Sequence, residues 1–265
     1  MYVWSPMEVM PRRPRSTSMH DRQHVSGAPR VALKEIARVT RDKRIPLWPY
    51  HQERLRQGGC SDETLRRLDD SIALSLATYD GRLTTRVQLS AIVLADGTPV
   101  TSVQRRLSSL DVPGGLKGVA VPVEEPPVLP SGGAKPLDRS YWDRAQRRAF
   151  EQRAQQAIIV DDCNTVYDGG SATIFCRYGD ELLTAPSPHA IAGVGRAYVM
   201  EHASQWGLSV RVRPYTFRQL EQADEVFFVN SYGGARIMIG KAGPTCEMID
   251  AHFKGLWGSE EEELF

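Results

Sequence analysis

AKPLDRSYWDRAQRRAFEQRAQQAIIVDDCNTVYDGGSATIF, residues 134–175, is the stretch whose reading decides the fold. A lysine behind a Pro/Gly-rich segment leads into a run that predicts a helix over 139–155. The short apolar run AIIV, bounded by polar residues, predicts a buried strand over 157–160. Asp168-Gly169-Gly170 then turns the chain into a second apolar run. Downstream the alternation continues, with a hairpin around Tyr178-Gly179-Asp180 and a helix over 194–206 ended by Gly207. A strand over 208–212, a helix over 217–222, strands over 225–230 and 236–239, and a helix over 245–256 follow. Such alternation predicts an α/β or α+β fold, and no internal repeat interrupts it.

Toward the N-terminus, PVEEPPVLPSGGAK (122–135) holds four prolines and two glycines. Neither a helix nor a central strand tolerates that composition, so 122–134 is read as an interdomain linker and 135–265 as the larger domain. VALKEIARV (31–39) predicts a strand with Leu33, Ile36 and Val39 apolar, and His51 to Leu55 opens a short helix. Ser61 can cap the next helix, along which Leu65, Leu68, Ile72, Leu76 and Tyr79 recur at helical spacing until Asp80-Gly81 stops it. Alternation returns over 83–94, and Asp96-Gly97 marks a turn. These elements make a smaller α/β domain over 27–121. In residues 1–26, Arg12, Arg13 and Arg15 stand among prolines and serines without an apolar core, so this stretch is read as a flexible arm rather than a secretory signal.

Composition narrows the function classes. The 265 residues carry 33 Lys+Arg against 32 Asp+Glu, a formal charge of +1, so no polycationic grip on nucleic acid is expected. Apolar stretches reach only about six to eight residues where a spanning helix needs about 20, so no membrane insertion is expected. Cys60, Cys163, Cys176 and Cys246 lack CxxC spacing, so neither a zinc site nor a disulfide framework is implied and no metal is expected. A reducing, cytoplasmic setting follows as the default.

Taken singly, the chemical motifs are weak. GVGR (193–196) opens a helix whose free amides suit a phosphate, but no GxGxxG accompanies it. Gly240-Lys241 lacks the spacing and the Ser or Thr of a P-loop.

In order and spacing, however, the pieces resemble the class IV family of pyridoxal-phosphate (PLP) enzymes, which includes branched-chain and D-amino-acid aminotransferases and aminodeoxychorismate lyases. AKPLDR, the following helix and QQAIIVDD resemble the family's lysine motif, helix and "DEALLLDE" strand without a gap. VYDGGSATIF (166–175) resembles "VTEGSxSNIF", and AIAGVGR resembles "GILPGITR". RPYTFRQLEQADEVFFVNS completes the series. In the first half the match is thinner, with HQERL (51–55) similar to "EHLERL" and EIARV similar to "ETLRV". The resemblance spans about 31–256. It implies a two-domain class IV fold, with a small N-terminal α/β domain and a larger C-terminal mixed-sheet pseudo-barrel.

The resemblance also implies roles. Lys135 would form the internal Schiff base with PLP and then move protons at the substrate Cα; for that its amine must be neutral, whereas a free lysine titrates near ~10.4. Asp168 occupies the place of the carboxylate that keeps the pyridine nitrogen protonated, where the family usually has glutamate. Arg54, the amides of Val194 and Gly195, and the Ser231 hydroxyl match the ligands of the cofactor phosphate. His51 is read as a structural histidine. The implied assembly is a homodimer with the active site between domains and completed at the subunit interface.

Departures matter too. The family's aromatic strand "YGDGVFE" reads PRVALKE (29–35), which brings Lys34 to the aromatic position; strand alternation would put Arg30 on the same side, and together they would favour an anionic substrate. "TRG" reads LSA (89–91), and NSYGG (230–234) is closer to the lyase branch than to "GTAA". The expected activity is PLP-dependent amino transfer on a small amino-group substrate, the reaction with the fewest requirements. A pyruvate-releasing elimination of the aminodeoxychorismate-lyase kind is the alternative. A less familiar PLP reaction and a non-catalytic member of the family stay open behind it.

Overall fold

The structure is a computed structural model that describes residues 29–79, 87–106, 108–110, 112–124 and 129–258. The arm over 1–26, the Asp80-Gly81 stop and the first residues of the 83–94 alternation lie outside these. Among the described residues, three sheets organise the chain. The first is antiparallel, in the order β1 (Leu33–Val39), β2 (Val87–Val93), β3 (Pro99–Arg105). α1 (Trp48–Gln57) and α2 (Asp62–Thr78) connect β1 to β2.

Local chemistry accounts for these elements. Ser61 accepts the Thr64 amide at 3.2 Å as the N-cap of α2, and Asp62 and Glu63 complement the positive helix start. Leu65, Leu68, Ile72 and Leu76 form its buried stripe and join Leu33, Ala37, Val39, Leu89 and Val93 in one core. β1 alternates strictly, with Leu33, Glu35, Ala37 and Val39 buried and Lys34, Ile36 and Arg38 on the other face. β2 is buried nearly throughout, so the expected alternation is replaced by a continuous buried strand between two neighbours.

The second sheet is β4 (Gly118–Pro122), β5 (Gln156–Val160), β6 (Val166–Gly169), with β4 parallel and β6 antiparallel to β5. α3 (Ser140–Glu151) covers it through Trp142, Ala145 and Ala149. The third sheet runs β11 (Gly234–Ile237), β10 (Glu225–Asn230), β7 (Thr173–Tyr178), β8 (Glu181–Thr184), β9 (Ser209–Val212). Ile158 and Val160 from the second sheet share a core with Ile174, Cys176, Leu183 and Phe228 from the third. On the far side of the third sheet, α4 (Val194–His202) and α6 (Pro244–Trp257) pack Tyr198, Val199, Ile249 and Phe253 against Phe175 and Phe227. α5 (Phe217–Gln222) starts with a capping box between Thr216 and Gln219.

Several boundaries differ from the expectation. α3 stops at Glu151 because Arg153 takes a left-handed φ of 55° and the Ala154 amide bonds back to Ala149. The 194–206 helix is α-helical to His202 and then tightens to a 3₁₀ turn over Ala203–Trp206, closed by Gly207 at φ 73°. β11 lies two residues earlier than 236–239, since a tight turn pairs Gly234 with Asn230. β3 and β4 were not expected at all. β3 is polar and mostly exposed, and β4, inside the stretch read as the first domain and ending on Pro122, pairs with β5.

Candidate active site

A cavity of about 800 Å³ lies where β1, α1, the segment before α3, the end of β6, the start of α4 and the end of β10 converge. That volume is in the range of small-molecule sites. Of the expected site residues, Lys34, Arg54, Lys135, Asp168, Val194 and Ser231 line it, while Gly195 sits one residue behind Val194. Arg30 does not line it. It lies in an exposed bend before β1 begins at Leu33, so strand alternation does not reach it.

Lys135 follows a 3₁₀ turn (Ser131–Gly133), and its segment docks onto β1. The Lys34 amide donates to the Lys135 carbonyl at 3.0 Å and the Leu137 amide to the Ala32 carbonyl at 2.8 Å. The side chain is partly exposed to the cavity. Among the described residues its amine has no hydrogen-bond or ion-pair partner. Loss of hydration pushes its pKa down from 10.5 to about 7, helped by the charges of Arg139, Arg54 and Lys34 and opposed by Glu35. Two other lysines are placed differently: Lys117 is exposed, and Lys241 is engaged by the Ala223 carbonyl at 3.0 Å.

Asp168 ends β6 and is buried. One carboxylate oxygen accepts the Trp142 indole N–H and the Ile191 amide, each at 3.1 Å, and the other accepts the Gly169 amide at 2.9 Å. Burial pushes its pKa up to about 6, against the lowering effect of these donors and of Arg139. Arg139 itself donates to the Gly170 carbonyl at 2.8 Å and lies 5.0 Å from the centre of the Trp142 ring.

Arg54 is not a free cation. Its Nε donates to Glu35 at 3.0 Å, an Nη2 proton closes the second arm of the fork, and Nη1 donates to the Ala192 carbonyl at 3.0 Å. The His51 Nδ1 also meets Glu35, at 2.6 Å. Burial works to raise the Glu35 pKa, but Arg54 and His51 outweigh it and hold it at about 2. For His51 burial dominates and lowers the pKa, so the ring is neutral and donates from Nδ1. This agrees with its structural reading, and Glu35 is the partner that sequence reasoning missed. Trp142 was missed likewise; its only signal is a place one turn into the helix after the lysine.

At the start of α4, Gly193 offers no side-chain cap, which leaves the first-turn amides without an internal acceptor. Glycine is required here by close approach. A Cβ on Gly193 would stand 2.5 Å from the Thr173 hydroxyl, and one on Gly195 would stand 2.8 Å from Val229 Cγ1 and 3.0 Å from the Asn230 carbonyl carbon. Ser231 donates its hydroxyl proton to the Ile36 carbonyl at 3.1 Å. Asn230 shapes the turn by accepting the Tyr232 and Gly233 amides at 3.1 and 2.6 Å. No metal-ligating cluster and no helix long and apolar enough to cross a membrane occur among the described residues.

The family model described as amino-transferase class IV matches residues 32–238. The branched-chain-amino-acid aminotransferase of Escherichia coli K12 is 26% identical over 154 residues, which are 54% of this chain and 48% of that one. This chain therefore spans about half the length of the curated relatives it matches. Among solved structures, a branched-chain aminotransferase from Thermoproteus uzoniensis superimposes with a TM-score of 0.69 at 18% identity, covering 88% of this chain and 87% of the other. A provisionally assigned 4-amino-4-deoxychorismate lyase from Legionella pneumophila gives 0.68 at 18% identity, covering 90% and 98%.

Proposed function

The chain belongs to the class IV aminotransferase family, and from that premise we propose that it is a PLP-dependent enzyme transferring an amino group at the Cα of a small substrate, with Lys135 as its catalytic residue. One observation carries the proposal: an enclosed lysine amine with a pKa near 7 shares a cavity with a buried carboxylate.

The donor set fits PLP. When bound, the cofactor supplies an electron sink for the pair of electrons left at Cα after proton removal. With its pKa lowered to about 7 by loss of hydration, Lys135 can present at neutral pH the uncharged amine that attachment of the cofactor carbonyl requires. The same amine then serves as the base and acid that moves a proton at Cα. Asp168 would hold the proton of the ring nitrogen. Of its roughly four acceptor positions three are occupied, so one remains for that contact. Arg54 spends three of its five N–H groups on Glu35 and Ala192 and keeps two for the phosphate, which the Val194 and Gly195 amides would meet at the helix start. Ser231 can donate to that phosphate only by releasing the Ile36 carbonyl.

A second reading, pyruvate-releasing elimination, is favoured by one feature, the Asn230-Ser231 pair at the cavity wall, which resembles the lyase branch. A homodimer with residues 27–121 and 135–265 as its two domains is part of the same proposal. The deciding experiment starts with the absorbance of the purified protein. A visible band that borohydride abolishes, with a pyridoxyl mass on the peptide holding Lys135, supports the reading. Assays for keto-acid-dependent amino transfer and for pyruvate release then separate the two reactions. A protein that takes up no PLP, or carries the label on Lys117 or Lys241, refutes it.

A further inference from the structure

Arg139 stands where the segment carrying Lys135 turns into α3, and it lines the same cavity as Lys135 and Asp168. Two contacts fix its guanidinium. Nη2 donates to the Gly170 carbonyl at 2.8 Å, and the group lies 5.0 Å from the centre of the Trp142 ring, whose face attracts a cation. Both contacts belong to the surroundings of Asp168: Trp142 donates its indole N–H to that carboxylate at 3.1 Å, and Gly170 follows it in the same turn. Among the described residues no carboxylate comes within ion-pair distance of Arg139. A guanidinium keeps its proton in proteins, so a fixed and uncompensated charge stands in the cavity wall.

The other charged groups around Lys135 are less suited to act on its amine. On β1 and α1, Glu35 and Arg54 are paired and largely cancel, and His51 is neutral. Lys34, opposite Lys135 where its segment pairs with β1, is itself a titrating amine. Asp168, at the end of β6, has the opposite sign and favours the charged amine. Asp138 before α3, Asp143 and Arg147 on α3, and Arg106 after β3 are exposed, where water screens them. Of the charges that lower the Lys135 pKa, that of Arg139 acts most strongly, and it lowers that of Asp168 as well. Loss of hydration also favours the neutral amine, but water returns whenever the cavity opens, whereas the charge of Arg139 stays.

We infer that Arg139 is a positioning residue that acts through Lys135: Gly170 and Trp142 hold its guanidinium where its fixed charge disfavours a proton on the lysine amine. The inference rests on the proposed function, which needs that amine neutral, and names the residue that keeps it so.

Trace labelling of the cofactor-free protein with acetic anhydride tests this without turnover, because only neutral amines react. The label on the peptide holding Lys135 is read by mass spectrometry at pH 6, with the exposed Lys117 as reference in the same digest. Arg139→Gln keeps a donor for Gly170 and removes the charge; it should slow the labelling of Lys135 by about three- to tenfold relative to Lys117, since a tenfold loss of neutral amine corresponds to one pH unit. Arg139→Met should slow it to a similar extent. Arg139→Lys restores the charge and should bring the rate back to within about threefold of wild type. Unchanged labelling in both neutral variants would overturn the inference, and so would an Arg139→Lys protein as slow as Arg139→Gln, because the contacts and not the charge would then matter. No substrate is present, so a role of Arg139 in binding one cannot produce the expected pattern. Wild-type protein that takes up no PLP would overturn the proposed function, a result separate from the labelling pattern.

Discussion

Lys135→Met removes a charge from the cavity and keeps the length of the side chain, so its effect on stability isolates the cost of the lysine. In the folded protein the amine has a pKa of about 7, against 10.5 in the ordinary state. Between these values the unfolded chain binds more protons than the folded one, so wild-type stability rises with pH in this window. Below pH 7 both states are protonated and the cost is complete, at most about 5 kcal/mol from 1.36 kcal/mol per pH unit. At pH 9 about 2 kcal/mol of it remains, by the same linkage. Solvent entering the open side of the cavity screens part of the effect, so a narrowing of about 1–3 kcal/mol between pH 6 and pH 9 is the working expectation. The assay is urea denaturation of the cofactor-free protein, wild type beside Lys135→Met, at pH 6, 7, 8 and 9, followed by tryptophan fluorescence. Lys135→Met should be the more stable protein at pH 6, and its advantage should shrink as pH rises. Two parallel stability curves would refute the argument, because they would mean that Lys135 titrates alike in the folded and unfolded chains. A stability cost at the residue proposed for catalysis is what a site arranged for chemistry rather than for folding would show.

The remaining predictions concern the parts around it. Asp168→Asn should leave cofactor bound, judged by visible absorbance per subunit, while kcat falls by at least about a hundredfold through loss of the carboxylate at the ring nitrogen; an unchanged kcat would remove Asp168 from that role. Glu35 is held at about 2 against an ordinary 4.5, so its stabilising contribution is complete above 4.5 and is lost on acidification toward 2. The advantage of wild type over Glu35→Gln in denaturant melts should therefore shrink by about 1–2 kcal/mol from pH 5 to pH 3, and a constant gap would disprove the pairing with Arg54. Gly195→Ala should cost about 1–3 kcal/mol by forcing α4 off Val229 and Asn230. Gly255→Ala, on an open face of α6 with nothing within 4 Å, should instead add about 0.5–1 kcal/mol, and similar melting temperatures for the two would refute the packing argument.

What the sequence determined by itself is whatever depends on short-range backbone geometry. The leucine and isoleucine spacing of α2 with its Ser61 cap, the apolar run of β5, the hairpin at Gly179 and the left-handed stop at Gly207 all follow from residues within a few positions of one another. The ordered motifs from Lys135 to Ser231 marked the lining of one cavity for the same reason, since each is a turn or element end with a local signature. The tertiary structure alone decided the pairings between distant segments. β4 is a run of only three apolar residues between a glycine and a proline, too short to announce itself, and it becomes a strand only beside β5. Arg54 carries a motif in the sequence, but its charge state depends on Glu35, 19 residues earlier on the buried face of β1. Asp168 is held by Trp142 and Ile191, on either side of it in the chain. Lys34 faces Lys135 only because an edge-strand residue and the residue just after the linker, 101 positions apart, fall into one antiparallel register. Strand periodicity says which residues share a face but not which strand lies opposite; that choice is made by the apolar faces that must close over one another, and the pKa of Lys135 is its consequence.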